Sequence, residues 1–293
     1  MIRGLFGKGM LASAMLALLV GSGVRANAAD KKVTNGPGIR SANALVLDAA
    51  SGEVIYEQEP GHVGPIASIT KLMTALVVVE AQQPLDEVIK VTNEDVWKGK
   101  GAFSHIPVGT KLTRDDLLRL ALMASENRAA RVLGRNYPGS LPAFVRAMNA
   151  KARVLGMTKT RFDDPSGLSS LNVSNARDLA KLVSAASRDP LVREYSTLPS
   201  HEVTLGKRSF VYRNTNLLVG KPDWEIVVQK TGYTHDAGQC LVMEAMLDER
   251  PVVMVLMNSF GTLTRTADAR RIRKWMAAQQ TSQVAGVGEV AKK

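Results

Sequence analysis

The stretch Pro65-Ile66-Ala67-Ser68-Ile69-Thr70-Lys71-Leu72-Met73-Thr74-Ala75-Leu76 organises the rest of this 293-residue chain. From Leu72 onward its apolar residues recur at helical spacing, which predicts a buried helix that begins near Ser68. Residues three apart share a helix face, so the side chains of Ser68 and Lys71 are expected to be adjacent. A lysine kept neutral by burial or by a second cation can take the proton of a serine hydroxyl and make it a nucleophile. Ser-x-x-Lys also arises by chance about once in a chain of this length, so the pair needs support from elsewhere in the sequence.

Two further short motifs follow downstream. Ser125-x-Asn127 lies between two predicted helices, and Lys230-Thr231-Gly232 ends a predicted strand that starts at Trp224. Alone, the first would be an ordinary pair of helix-cap residues and the second an ordinary strand end. The fixed order of the three motifs and their local contexts favour a shared active site.

Strand-like segments lie near both ends of the chain, with helical segments between them. Residues 44–48 and 55–56 form a predicted hairpin, residues 240–247 and 252–257 form another, and a closing helix is predicted over residues 263–278. This order predicts an α/β (α+β) fold, in which an antiparallel sheet from both chain ends is flanked by helices. A helical lobe is inserted over about residues 85–200. We expect the cleft where the lobe meets the sheet.

The N-terminus has the pattern of a secretory signal. Arg3 and Lys8 precede an apolar run from Met10 to Val20, and Ala26-Asn27-Ala28 is a small-x-small cleavage pattern. Residues 1–28 are therefore predicted to be a signal peptide that is cleaved on export to the periplasm. A catalytic domain over residues 29–280 and a flexible tail over residues 281–293 are predicted to follow. A retained membrane anchor is the alternative, which the shortness of the apolar run disfavours.

The predicted mature chain is basic. The signal carries three basic residues and no acid, so 38 − 3 = 35 lysine and arginine residues remain against 27 acidic ones. The resulting net charge of 35 − 27 = +8 favours contact with anionic surfaces such as cell-wall polymer or the membrane surface. Nucleic acid is not expected as a partner, because the chain carries an export signal and lacks a basic-aromatic pattern.

Cysteine and histidine usage argues against disulfide and metal chemistry. Cys240 is the one cysteine, so no internal disulfide is expected, and its apolar neighbours predict a small buried side chain. The histidines are scattered and lack metal-ligand spacing. We therefore expect no metal and no cofactor. The four histidines are His62, His105, His201 and His235.

The three motifs, taken in this order, resemble those of the penicillin-binding proteins and serine β-lactamases. The resemblance covers nearly all of the predicted mature chain. It looks closest to the low-molecular-mass penicillin-binding proteins, and within them to the D-alanyl-D-alanine endopeptidases that cut peptidoglycan cross-links. Three segments carry it, namely residues 65–68, residues 123–130 and Asp164-Pro165-Ser166-Gly167-Leu168.

The resemblance implies a role for each motif residue. Ser68 is expected to be the nucleophile, Lys71 its base, and Ser125 a bridge between the two lysines that passes a proton to the leaving amine. Lys230 is expected to lower the pKa of Lys71. The backbone N–H groups of Ser68 and Tyr233 are expected to form the oxyanion hole. Substrate-binding roles are implied for Asn127, Lys230, Thr231, Gly232, Tyr233 and Arg265, although a surface salt bridge explains Arg265 nearly as well.

The implied activity is that of a periplasmic serine DD-endopeptidase. Its substrates would be peptidoglycan stem peptides joined by D-Ala–diaminopimelate bonds, and β-lactam antibiotics would inhibit it covalently. The alternatives are a D-Ala-D-Ala carboxypeptidase, a β-lactamase and a non-enzymatic penicillin-binding sensor. Leu168 stands where class A β-lactamases carry a glutamate, which predicts slow deacylation of penicillin. The C-terminal β domain and amphipathic anchor usual in the carboxypeptidases are not expected after the closing helix, which favours the endopeptidase.

Overall fold

A five-stranded antiparallel sheet joins the two ends of the chain, as the sequence predicted. The computed structural model describes residues 36–99 and 104–290, so the predicted signal peptide lies outside the described residues. The strand order is β2-β1-β11-β10-β9, which places N-terminal strands beside C-terminal ones. The strands of this sheet are β1 (Ser41–Asp48), β2 (Val54–Gln58), β9 (Glu225–Thr234), β10 (Gly238–Leu247) and β11 (Arg250–Ser259).

Two tight hairpins set the register at one end of the sheet. Asp248 and Glu249 join β10 to β11, and both have positive φ, at 50° and 64°. This conformation matches the twist of an antiparallel pair, so Arg250 and Pro251 belong to β11 rather than to the predicted turn. Gly52, with φ of 74°, completes the turn between β1 and β2.

Alternate residues of the sheet face two separate cores. On β10, Cys240 and Val242 pack with the helical lobe, whereas Leu241 and Met243 pack against the last helix. Apolar residues therefore occupy both faces of the central strands, which explains their nearly continuous hydrophobic sequence. Burial on both faces fixes the sheet between two layers of helix.

In chain order, the helical lobe lies between strands β1 and β2 and strands β9 to β11 of the sheet. Two-stranded ribbons are added by β3 (Gly64–Pro65) with β6 (Val173–Ser174), β4 (Val88–Lys90) with β5 (Lys111–Thr113), and β7 (Ser200–Leu205) with β8 (Arg208–Arg213). The α-helices of the described chain are α1 (Thr70–Glu80), α2 (Arg114–Met123), α3 (Asn127–Arg135), α4 (Ser140–Val154), α5 (Ala176–Ala186), α6 (Pro190–Thr197) and α7 (Thr264–Val290).

Side-chain caps decide where several helices start. Thr113 and Asp116 form a capping box at the start of α2. Helix α5 is capped by Asn175, whose side chain accepts from Asp178 N at 2.9 Å. Helix α4 follows Gly139, which has a left-handed conformation, so Ser140 is the first residue of this helix.

Two helices differ from the prediction in extent. Helix α6 was not predicted, although Asp189 capping it and Pro190 at its first position are a recognisable start signal. Helix α7 continues to Val290 instead of ending at Ala278, so residues 281–290 of the predicted flexible tail are helical. No proline interrupts that segment, which leaves its backbone free to continue the helix. Within residues 36–99 and 104–290, no helix has the length and apolar character needed to cross a membrane.

Asp48 ties the first hairpin to the last one. Its carboxylate accepts from the backbone N–H groups of Ala50 at 2.9 Å and Ser51 at 2.8 Å, and it pairs with Arg250. The Ser51 hydrogen bond, followed by the Arg250 guanidinium, lowers the pKa of Asp48 to about 2. The ionised form is therefore bound more tightly in the folded chain than in the unfolded one.

Asp48→Asn should destabilise the fold by about 1–2 kcal/mol at neutral pH. Because the folded-state pKa is depressed, this contribution is fully present above the ordinary pKa of the carboxyl group, 3.8, and is lost as pH falls towards 2. Urea unfolding of wild type and variant at pH 7 and pH 2.5 measures the difference. Asp86→Asn, at an exposed carboxylate, is the matched control. An equal loss at both pH values would contradict the assignment.

Candidate active site

Ser68 lies in a short 3₁₀ turn, Ala67–Ile69, directly before α1. The predicted helix start is therefore right in position, but the α-helical hydrogen bonds begin only at Thr70. Ala67 has φ of 46°, a left-handed conformation that is uncommon for a residue with a Cβ atom. Such local strain needs support from surrounding structure and is frequent at functional sites.

Lys71 is completely buried, and its ammonium group contacts three oxygen atoms. It donates to Ser68 Oγ, to Asn127 Oδ1 and to the backbone carbonyl of Ser166, each at 2.7 Å. The structure thus brings together Ser68, Lys71 and Asn127, as the motifs predicted. The contact with Ser166 was not predicted, because a backbone carbonyl has no signature in the sequence.

Burial sets the protonation of Lys71. Removal from water lowers its pKa to about 7, while the negative charges of Asp164 and Glu126 raise it. Lys230 is a second buried cation coupled to Lys71, and its influence on the pKa of Lys71 stays a prediction. Burial lowers the pKa of Lys230 well below its usual range, and the charges of Lys71 and Arg265 lower it further.

Ser125 occupies the bend between α2 and α3 with φ of 58°. In the described part of the chain its hydroxyl makes no hydrogen bond, and the contacts of Lys71 do not include it. Asn127 begins α3 two residues later and reaches Lys71 directly. Among the described residues, the predicted bridge by Ser125 between the two lysines is not present as a hydrogen bond.

Strand β9 brings Lys230, Thr231 and Gly232 to the edge of the sheet. Lys230 is fully buried and donates to the Thr231 carbonyl at 2.9 Å. The hydroxyls of Thr231 and Thr215 lie 2.6 Å apart. Thr215 N in turn donates to the carbonyl of Met123 at 3.0 Å. This chain of contacts couples the strand to the helix end that precedes Ser125.

Gly232 allows the strand to approach the Ser68 turn. A Cβ atom at this position would lie 3.0 Å from the carbonyl oxygen of Ile66 and 3.2 Å from the backbone nitrogen of Ser68. A side chain would therefore force the two backbones apart. Tyr233, the next residue, is 60% exposed.

Among the described residues, Arg265 forms no salt bridge and is largely buried. Its guanidinium donates to the carbonyl oxygens of Gly232 at 2.7 Å and Cys240 at 3.1 Å. These residues pair across β9 and β10, so Arg265 clamps the strand that carries the third motif. Cys240 itself is fully buried, which raises the pKa of its thiol to about 11.

The loop over residues 163–172 contacts helix α1 and the Lys71 side chain. Buried Asn172 donates to the carbonyl of Asp164 at 2.9 Å, and Thr74 of α1 donates to the carbonyl of Pro165 at 2.6 Å. The loop thereby presents the Ser166 carbonyl to Lys71 and places Leu168 in a half-buried position. Residues 164–168 of this loop carry part of the family resemblance, but the sequence analysis assigns them no role in the site.

In residues 36–99 and 104–290 no group of three or more His, Cys, Asp or Glu side chains is arranged to hold a metal ion.

A serine in contact with a buried, partly neutral lysine, at the edge of an antiparallel sheet, defines a serine hydrolase with a lysine base. Comparison with known proteins agrees with this class. A model of the family described as D-alanyl-D-alanine carboxypeptidase matches residues 30–261. The chain therefore belongs to this family of serine peptidases.

Curated relatives and solved structures place the chain more closely. A D-alanyl-D-alanine endopeptidase of Pseudomonas aeruginosa is 46% identical over 87% of this chain and 82% of its own length. One of Escherichia coli is 45% identical over 89% of this chain and 85% of its own length. A D-alanyl-D-alanine carboxypeptidase of Escherichia coli is 30% identical, over 82% of this chain and 61% of its own length.

Two solved structures have the same fold. A Streptomyces DD-transpeptidase has a TM-score of 0.76 and is 26% identical, with 84% of this chain and 100% of that chain covered. A penicillin-binding protein of Listeria monocytogenes, solved in a cefotaxime-bound form, has a TM-score of 0.72 and 29% identity. That comparison covers 81% of this chain and 97% of that one. The predicted fold and family are thus confirmed.

Proposed function

We propose that this protein is a serine DD-endopeptidase that hydrolyses D-Ala–diaminopimelate cross-links between peptidoglycan stem peptides. The observation that carries the proposal is the 2.7 Å contact between Lys71 Nζ and Ser68 Oγ, inside a site where burial lowers the lysine pKa to about 7. A substantial fraction of Lys71 is then neutral at physiological pH and able to accept a proton.

The reaction begins with attack of Ser68 Oγ on the carbonyl carbon of the D-Ala residue. The hydroxyl proton passes to Lys71 as the new C–O bond forms. Breakdown of the tetrahedral intermediate cleaves the C–N bond, and the proton is delivered to the departing amine, with Ser125 as the relay. Water then hydrolyses the ester of the acyl-enzyme and regenerates the Ser68 hydroxyl.

The surrounding groups have stabilising roles in this proposal. The backbone N–H groups of Ser68 and Tyr233 would bind the oxyanion, and the close approach of β9 at Gly232 supports their proximity. Lys230 and Thr231 would bind a carboxylate of the substrate. An anion arriving beside Lys230 would favour its charged form, which burial otherwise disfavours. Arg265 would act by holding the strand, because its guanidinium donates to the strand backbone. Asn127 would orient Lys71 and hydrogen-bond a substrate amide.

Cleavage of cross-links is favoured over removal of a terminal D-Ala by the comparison with relatives. Those named endopeptidases are 46% and 45% identical, whereas a carboxypeptidase is 30% identical. Carboxypeptidase activity is the second candidate, since it is the description of the matching family. Export to the periplasm, by cleavage of residues 1–28 from a catalytic domain over residues 29–280, is part of the proposal and rests on the signal pattern in the sequence.

Digestion of defined muropeptides followed by mass spectrometry tests the activity. We expect the wild-type protein to convert cross-linked dimers to monomers, and Ser68→Ala to leave them intact. A protein that leaves dimers intact but shortens monomeric pentapeptide by one D-Ala would be a carboxypeptidase. Fluorescent penicillin that labels Ser68 with no release of peptide would indicate a binding sensor.

The same acyl-enzyme chemistry predicts covalent inhibition by β-lactams. Leu168 stands where a class A β-lactamase would carry the glutamate that activates the deacylating water. We therefore expect penicilloyl-enzyme to persist, as measured by the decay of fluorescent label after excess penicillin is removed. Rapid turnover of penicillin would instead support the β-lactamase alternative.

A further inference from the structure

The carboxylate of Asp164 is buried close to the catalytic pair and is surrounded by hydrogen-bond donors. It accepts from the backbone N–H of Ser166 at 2.9 Å, of Gly167 at 3.0 Å and of Ser169 at 3.3 Å. The side chains of Ser166 and Asn172 also donate to it, the latter at 2.8 Å. Only 4% of Asp164 is exposed. Five donors on one carboxyl group leave it acting purely as an acceptor, as an ionised carboxylate does.

These donors belong to the same loop that contacts Lys71. Ser166 donates to Asp164 through its N–H and its hydroxyl, and its carbonyl accepts from Lys71. One residue therefore links the carboxylate to the lysine. The Lys71 ammonium group donates to the Ser166 carbonyl, and the position of that carbonyl depends on the hydrogen bonds between Ser166 and Asp164.

The charges around Lys71 come from three elements. Glu126 lies in the bend between α2 and α3, Lys230 lies on β9, and Asp164 lies in the loop after α4. Glu126 is engaged elsewhere, since it accepts from the Ser104 hydroxyl and from Arg128 N. Lys230 and the neighbouring Arg265 have basic side chains, so neither can supply a negative charge to compensate Lys71. A buried cation is costly without a compensating anion, and Asp164 is the carboxylate tied to Lys71 through its own loop.

We propose that Asp164 is a positioning residue for Lys71, which holds the Ser166 carbonyl against the ammonium group and supplies the negative charge that compensates this buried cation. The inference rests on the proposed function of Lys71 as the base. Charge compensation by Asp164 determines the pH at which Lys71 becomes neutral, and so the pH at which Ser68 becomes reactive. The negative charge of Asp164 raises the pKa of Lys71, in agreement with this geometry.

The test is the pH dependence of acylation by a fluorescent penicillin, measured as a second-order rate constant from pH 5 to pH 9. Wild type should lose activity below about pH 7, where Lys71 becomes protonated. In Asp164→Asn the midpoint of this acid limb should move to lower pH by about one unit, because removal of a nearby negative charge destabilises the cation. The limiting rate should fall as well, since the amide cannot accept from all five donors.

Asp163→Asn is the matched control. Asp163 is the adjacent carboxylate in the same loop, but it is exposed and accepts from the Ser169 hydroxyl at 2.6 Å. The same substitution there should leave the acid limb in place. Asp164→Glu, which restores the charge, should return the midpoint to within a few tenths of a unit of wild type even where the limiting rate stays low.

A purely structural role for Asp164 would lower the rate at every pH without moving the midpoint, and that result would overturn the inference. Should Asp164→Asn not fold, Asp164→Ser, which also removes the charge, takes its place, since a midpoint moved to lower pH supports charge compensation and an unmoved one contradicts it. Wild-type protein that is not acylated at Ser68 at any pH would refute the proposed function instead, so the two failures are distinguishable.

Discussion

Lys71→Met is expected to slow acylation of Ser68 by at least about 10³-fold, because the variant has no group that can take the hydroxyl proton. The same change should raise the free energy of unfolding by about 1–2 kcal/mol at pH 8. Methionine is similar in length to lysine, and the cost of burying an ammonium group disappears. Labelling with fluorescent penicillin measures the first effect, and urea unfolding measures the second.

The pH dependence of the stability difference tests its cause. The pKa of Lys71 is lower in the folded chain than in the unfolded one, so the unfolded chain binds the extra proton between the two values. The advantage of Lys71→Met should therefore grow as pH falls from about 10 to about 7. Lys111→Met, at an exposed lysine, should change neither property. Acylation of Lys71→Met within tenfold of wild type would refute the assignment of the base.

Much of this site was predictable because its residues occur in short motifs with local structural reasons. Ser68 and Lys71 are three apart at a helix start, and Asn127 begins a helix after a break. The strand predicted from Trp224 begins at Glu225 and continues to Thr234, so it carries Lys230, Thr231 and Gly232 as the sequence indicated. Short apolar runs and turn residues were enough to predict the sheet that both chain ends build.

The sequence could not predict contacts that involve backbone atoms or distant partners. The Ser166 carbonyl that accepts from Lys71, and the strand carbonyls that accept from Arg265, have no residue-specific signature. The burial that lowers the pKa of both lysines depends on packing that only the fold supplies.

Gly167→Ala is expected to destabilise the fold by about 3–5 kcal/mol and to slow acylation by about 10²-fold in the protein that remains folded. Gly167 has φ of 84°, and a Cβ atom there would lie 1.9 Å from the carbonyl oxygen of Ala67 and 2.9 Å from Ser68 N. No rotation of a side chain can relieve a clash between Cβ and backbone. The peptide between Ala67 and Ser68 must shift, and it carries an N–H group of the proposed oxyanion hole.

Gly156 is a control that distinguishes the steric clash of a Cβ atom from the cost of a left-handed backbone conformation. Gly156 also has positive φ, at 67°, but a Cβ atom there would meet only Lys181 Nζ at 3.9 Å. Gly156→Ala should therefore cost about 1 kcal/mol, with acylation unchanged. Urea unfolding and penicillin acylation of both variants give the comparison. Equal losses at the two positions would mean that left-handed strain alone explains the effect, and that Gly167 is not needed for the approach of the loop to Ser68.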